Sequence, residues 1–287
     1  MAAVDPVALG LSATPKRAHA RAGTGAPEKA ALALLIVITA ISILAPLLAP
    51  HSTTQPAAAG PFHSPGHGTI LGTDELGRDL LSRVLIGIRT SWFSALAVVA
   101  SGILIGGAVG LVAGICGGAV DSGLMRVTDL FLALPGPVLA IAAALALGPS
   151  LLHALLAVAI VWWPWYARIV RGEVRSLMAR PHLDAARIAG DRGVLLAVRH
   201  VIPGLAPPII VTASMDIGSL ILTLAGLSFL GLGAPPPSPE LGAMTAEGLT
   251  YVLGQPWISL VPAAVVFILA FASNIAGDGI RDVMADR

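Results

Sequence analysis

Residues 91–116 read SWFSALAVVASGILIGGAVGLVAGIC, twenty-six positions without one charged side chain. As an α-helix rising about 1.5 Å per residue the stretch is ~39 Å long, more than the ~30 Å hydrocarbon core of a bilayer. Peptide groups find no water inside that core, so a helix that satisfies its own backbone is the conformation this sequence can adopt there. Five further stretches are predominantly apolar, with at most one charged residue each: 30–48, 127–147, 151–170, 205–230 and 257–276. Between the third and fourth, Gly148, Pro149 and Ser150 supply a tight turn. The whole chain agrees. Of 287 residues, 56% are hydrophobic, 32 more are glycine, and 11% are charged, where a soluble domain carries about 25% charge. Mean hydropathy is +0.86. These values exclude a soluble enzyme and a disordered protein, and leave an all-α polytopic membrane protein with six transmembrane helices. The net charge of +1 suggests no nucleic-acid partner, and the lone Cys116 excludes an intrachain disulfide.

Lys and Arg set the orientation. Six crossings put both ends of the chain on one side. Arg78, Arg83 and Arg89 fall on the other side, and the remaining fourteen of the seventeen basic residues fall on the side of the termini. Both termini are therefore expected in the cytoplasm, in a multi-pass membrane protein. Trp92 and Trp257 at the outer face, and Trp162, Trp163, Trp165 and Tyr166 at the inner, occupy positions suited to interface anchors. Residues 1–29, rich in Ala, Gly, Pro and basic groups, read as a disordered cytoplasmic tail, too long for the n-region of a cleaved signal peptide.

The connecting segments carry the remaining information. Residues 51–72 hold Pro56, Pro61 and Pro65 and read as an irregular outer loop. His63 and His67 have metal-ligand spacing, but Ser64, Pro65 and Gly66 between them argue against the helix a metal pair needs, so no metal site is assigned. Residues 72–84, GTDELGRDLLSRV, read as an amphipathic interfacial helix capped by Thr73 or Asp74, with Glu75–Arg78 and Asp79–Arg83 pairs. Residues 30–90 thus form a first span, outer loop and interfacial helix, and 91–287 a core with five spans. In the second span Gly102, Gly106, Gly110, Gly114 and Gly118 recur every four residues, a face along which another helix can approach closely. Beyond span five, 234–240 is proline-rich, and Ser238, Pro239 and Glu240 would start a short outer helix reaching about Leu253.

Residues 171–203 differ from the rest: a cytoplasmic loop of about thirty residues with six arginines, too long for a simple turn. Leu183, Ala186 and Ala189 share a helix face, and Gly190 suits the helix end. The segment reads as a docking surface for a cytoplasmic protein or for anionic headgroups. There is no G-x-x-x-x-G-K-[ST] loop, no H-E-x-x-H and no serine nucleophile elbow, so this chain reads as a non-enzyme without a nucleotide site of its own. Within the spans, Asp129 lies one turn from Arg126 and is expected to pair with it. Asp216 is an intramembrane carboxylate, a functional candidate by position.

Asp184-Ala185-Ala186, Gly190, His200, Ile202 and Pro203 resemble the E-A-A-x(3)-G-x(9)-I-x-L-P signature of ABC importer permeases, with Asp for Glu, His for the first Ile and Ile for Leu. Residues 72–84, 225–233 (AGLSFLGLG), 236–240 (PPSPE) and 277–282 (GDGIRD) are similar to the dipeptide/oligopeptide/nickel permease family, a likeness spanning about 30–285. Leu241, where the family often has Trp, and the absence of proline at the C-terminus are departures. The resemblance implies a type I ABC importer fold, in which residues 171–203 carry a coupling helix between spans four and five. It implies Leu183, Asp184, Ala185, Ala186, Gly190, Ile202 and Pro203 as residues that couple to the ATPase. It implies as partners a second homologous permease in a heterodimer, two ABC ATPase subunits that bind the ATP and Mg, and an extracytoplasmic solute-binding protein. Asp216, Ser219 and Thr223 are candidates for the translocation pathway, and Gly102, Gly106, Gly110 and Gly114 for helix packing. The expected function is import of di- or oligopeptides. The alternatives are nickel or another small solute in the same family and, more distantly, an ion-coupled secondary transporter.

Overall fold

In a computed structural model of the chain, residues 26–66 and 68–285 are described; His67 and most of the 1–29 tail lie outside them. Among the described residues the regular structure is helical: α1 (Ala26–Leu48), α2 (Leu80–Ser101), α3 (Gly107–Cys116), α4 (Gly118–Leu132), α5 (Gly136–Leu147), α6 (Leu151–Met178), α7 (Pro181–Ile188), α8 (Gly193–Leu196), α9 (Ile202–Phe229), α10 (Leu241–Gly248) and α11 (Trp257–Ala285). One antiparallel bridge, Thr73 to Asp79, is the exception. A π turn at Gly102–Gly106 joins α2 to α3, so span two is one long helix from Leu80 to Cys116.

Among the described residues five helices are long and apolar enough to cross a bilayer, and a bent pair makes a sixth, broken crossing. The stretch expected as the third span, 127–147, falls on the last part of α4 and on α5, which are bent 84° to each other. Pro135 and Pro137 lie at the break; neither has an N–H for the helical ladder. The bent pair still traverses the bundle. Along it, Asp121 meets Arg175, Asp129 meets Arg168, Phe131 meets Trp163 and Gly136 meets Val161, so it climbs α6 from its C-terminal end toward its start. Spans two and four run parallel, because Gly102 faces Tyr166 while Gly114 faces Val174.

α9 and α11 run antiparallel, with Gly218 against Asn274 and Gly277 against Met215. α1 leans on α11 through Leu34, Ile38, Leu269 and Ala272. Pro46 leaves the Ser42 carbonyl of α1 without its helical donor, and the Arg89 guanidinium supplies one, 3.5 Å from Ser42 O and 3.1 Å from Ile43 O. The main core includes Trp92, Val98, Val158, Leu220, Ile221 and Leu241. Large apolar side chains such as Leu104 and Phe267 cover the outside, the surface a bilayer solvates.

Residues 72–79 do not form the expected interfacial helix. The Asp74 carboxylate accepts from the backbone N–H of Leu76 and Arg78 in a turn, and Gly77 adopts φ +78°, a left-handed conformation that stops a helix. The helix begins only at Leu80. Asp79 caps it, accepting from Ser82 N at 2.9 Å and Ser82 Oγ at 2.6 Å. Asp79 is therefore not the partner of Arg83. Arg83 is buried beside Asp74 at 3.4 Å, and Arg78 bonds Asp74 at 2.6 Å and Glu75 at 3.0 Å. The short helix after span five likewise starts later than expected: Glu240, not Ser238, caps α10 by accepting from Ala243 N, and α10 ends at Gly248 before one 3₁₀ turn.

Two expected interface anchors are core residues instead. Trp92 and Tyr166 are buried, Trp162 and Trp163 bond or stack within the bundle, and Trp165 alone of the inner group is exposed. α6 explains this. It continues twelve residues past Tyr166, so that residue lies well inside the helix rather than at its end.

Candidate functional site

The segment between spans four and five is built around a short amphipathic helix with a defined start and stop. Pro181, whose missing N–H costs nothing in a first turn, opens α7. Gly190, at φ +105°, closes it. Asp191 N donates to Ala186 O at 3.0 Å and Gly190 N to Arg187 O at 3.1 Å, the paired bonds of a Schellman end, which the left-handed residue makes possible. Leu183 and Ala186 face inward, into a second, smaller core with Val170, Val174 and Leu177 of α6 and Leu196, Val201 and Leu205 of the following segment. Full burial of Leu183 alone stabilises this seat by about 1.5–3 kcal/mol.

The opposite face points away from the bundle. Asp184 and Ala185 are exposed, and Asp184 bonds Arg187 one turn on at 2.8 Å. Ile188 is 88% exposed and Val194 78%, with Val198, Ile202 and Pro203 also exposed nearby. Exposed apolar side chains interspersed with charged ones on a connecting segment are the composition of a protein-docking surface. His200 Nε2 lies 2.7 Å from Asp191, which ties the loop after α7 to the π turn at Ala197–Val201.

Asp216, Ser219 and Thr223 share one face of α9, but their surroundings differ. The Trp162 indole donates to Asp216 at 3.2 Å, and the buried Tyr166 phenol lies beside the same carboxylate. Ser219 is exposed. Thr223 lines an apolar crevice of about 310 Å³ between α5 and α9, with Pro137, Ala140, Ile141 and Gly226. The structure thus brings Thr223 to a cavity and sets Asp216 against α6.

The glycines of span two lie against α6 of the same chain. A Cβ at Gly106 would sit 2.2 Å from Trp163 O, at Gly110 2.4 Å from Ala167 O, at Gly102 2.8 Å from the Tyr166 ring and at Gly114 2.6 Å from Val174. Gly118 meets nothing within 4 Å and belongs to the turn into α4.

Two arginines counted with the docking segment are engaged elsewhere. Arg171 and Arg175 both bind Asp121 of α4, the Arg171 Nη2 bond measuring 2.7 Å. Asp129 pairs with Arg168 at 2.6 Å rather than with Arg126. The sequence does carry a signal for this: Arg168, Arg171 and Arg175 fall at i, i+3 and i+7, one stripe of a helix.

Known proteins place this geometry in a context. Residues 102–287 match the model of the family described as binding-protein-dependent transport system inner membrane component. The probable D,D-dipeptide transport system permease protein DdpC of Escherichia coli is 42% identical over 261 residues, 91% of this chain and 88% of that protein. The dipeptide permease DppC of Haemophilus influenzae is 36% identical, covering 88% of each. The glutathione permease GsiD of Pectobacterium atrosepticum is 41% identical over 75% of this chain and 71% of its own. In fold, the chain is similar to an inward-facing structure of the MetNI methionine ABC transporter, with TM-score 0.55 and 17% identity over 70% of this chain and 95% of that one. A helical bundle with a broken third crossing, a short amphipathic helix presented between its fourth and fifth, and relatives of this closeness lead to one assignment: the chain belongs to the binding-protein-dependent transport system inner membrane components, the permease subunits of ABC importers.

Proposed function

We propose that this chain imports di- or oligopeptides across the cytoplasmic membrane, with both termini in the cytoplasm and α7 as the helix that engages partner ATPase subunits. The observation that carries the reading is the two-sided build of α7: Leu183 and Ala186 are anchored in the bundle while Asp184, Ala185 and Ile188 face outward. A helix fixed on one side and exposed on the other passes a push into α6 and, through the small core that includes Leu205, toward α9. Gly190 sets where the segment turns, and Ile202 and Pro203 open α9. Binding and hydrolysis of ATP with Mg belong to the partners in this reading, and a second homologous permease completes the pathway to which Asp216, Ser219 and Thr223 contribute.

Peptide cargo is supported by the names of the relatives, several of which are dipeptide permeases. The test is uptake into proteoliposomes holding the complex assembled from the subunits and binding protein encoded alongside, with ATP inside. Labelled L-alanyl-L-alanine should accumulate in an ATP-dependent manner, and unlabelled peptides should compete. Uptake of nickel or free amino acid with no competition by peptides would overturn the peptide assignment and favour another small solute.

A further inference from the structure

We infer that Asp121 is a positioning residue of the transport cycle: it latches the cytoplasmic half of the broken third span to the end of α6, so that the two move as one when α7 is pushed. This rests on the reading of α7 as the coupling helix. Asp121 stands in the first turn of α4 and is 4% exposed. Both of its oxygens are taken, one by Arg171 Nε and the other by Arg171 Nη2 and by Arg175. These arginines stand four positions apart, so they present two cations on one face of α6 to a single carboxylate. Arg175 is followed after three residues by the end of α6 at Met178 and, three residues further on, by the start of α7 at Pro181. The latch therefore holds α6 at the turn nearest the coupling helix.

The rest of the third span is arranged so that such a latch has mechanical consequences. At one end of α4, Gly117 and Gly118 both have positive φ, +63° and +54°, in an open turn where a Cβ on either residue would meet no atom within 4 Å. At the other end is the 84° break before α5. α4 is thus a piece between two joints; it packs on α3 as well as on α6, and the side-chain links that tie it to α6 are the buried Asp121 cluster, the exposed Asp129–Arg168 pair and the Phe131–Trp163 edge contact. The Asp129 pair is half exposed on both sides and contributes little. In the Asp121 cluster the carboxylate is shielded and its bonds are charge-assisted, although Arg175 is half exposed, so breaking the cluster leaves a buried carboxylate or frees both arginines. Movement at the end of α6 is then passed to α4, and toward the α5–α9 crevice beyond the break, with the Asp121 cluster as its buried charged link.

The test is the stimulation of ATP hydrolysis by the binding protein in the assembled complex. Wild-type stimulation examines the importer reading; the ratio of variant to wild type examines the latch. Asp121→Asn keeps the shape and removes the charge. It should retain unstimulated hydrolysis within about twofold and lose at least about fivefold of the stimulated increment, with Asp121→Glu recovering at least about half of it. Loss of packing alone would lower the amount of complex without changing the stimulated-to-unstimulated ratio per complex. Should Asp121→Asn fail to accumulate, Arg175→Gln is read in its place, since its side chain is half exposed and Arg171 still neutralises Asp121; a roughly threefold or larger loss of the ratio supports the latch. A wild-type ratio in either assembled variant overturns it.

Discussion

Replacing Gly106 with alanine adds one methyl group to span two, and the structure determines what that methyl meets. Its Cβ would lie 2.2 Å from Trp163 O, 2.7 Å from Tyr166 Cβ and 2.9 Å from Ala167 N. An ordinary carbon–oxygen approach is about 3.3–3.6 Å, so α2–α3 and α6 must separate locally by roughly 1 Å. The nearest contacts include backbone atoms, which cannot rotate away. Overpacking of this kind costs typically ~1–3 kcal/mol, and rigid neighbours put it at the upper end. Alanine recovers up to ~1 kcal/mol through its helix propensity. A net loss of about 2 kcal/mol follows, or roughly 4–8 °C in Tm for a domain of this size. Gly107, the next residue, is an internal control: its Cβ would meet nothing within 4 Å, so Gly107→Ala should be neutral or slightly stabilising. The assay is the midpoint of heat-induced loss of the monodisperse complex in detergent, for both variants in parallel. If Gly106→Ala melts at or above Gly107→Ala, the argument that this glycine is required by the close approach of α6 is wrong.

Three further outcomes are expected. In a Cys116→Ala background, a membrane-impermeant maleimide should label Pro65→Cys from outside the cell and His182→Cys only after the inner face is opened; the reverse pattern would invert the topology. Replacing Gly190 with leucine forces a side chain into φ +105° at the end of α7. It should abolish stimulated ATP hydrolysis while the permease still reaches the membrane, and a normal response would remove Gly190 from the coupling assignment. Burial pushes the Glu240 carboxyl above the usual carboxylate range. With a folded pKa raised over the unfolded one, its contribution is fully present in acid and lost as pH rises through the folded value. Glu240→Gln, which keeps an acceptor for Ala243 N, should therefore gain Tm relative to wild type as pH rises from about 5 to about 8. Parallel curves for the two proteins would contradict that sign.

Much of the fold was legible in the sequence because a bilayer makes strong demands locally. A 26-residue stretch without charge has no other stable place, and the asymmetry of Lys and Arg speaks to orientation without any knowledge of packing. The end of α7 was legible for the same reason: Gly190 marks it and Leu183 and Ala186 mark its buried side, all within eight residues, while its start at Pro181 came from the structure. The structure departs from expectation where a short-range signal had two solutions. Asp74 could cap a helix or close a turn; the left-handed Gly77 and the buried Arg78 and Arg83 decide for the turn. Trp92 and Tyr166 could anchor at an interface or fill the core, and only the neighbouring helices distinguish the two.

By itself, then, the sequence determined the class of solvent the chain inhabits, the number of apolar stretches and the place where charge gathers, since each depends on residues adjacent along the chain. The tertiary structure decided which partner each of those residues meets. It set the glycine face of span two against α6, broke the third span into two helices, turned Arg171 and Arg175 from the docking surface toward Asp121, and paired Asp129 with Arg168. Those pairings join positions about forty to sixty residues apart. Their energies come from close approach and from charge neutralised in a shielded place, quantities that exist only once the helices are side by side.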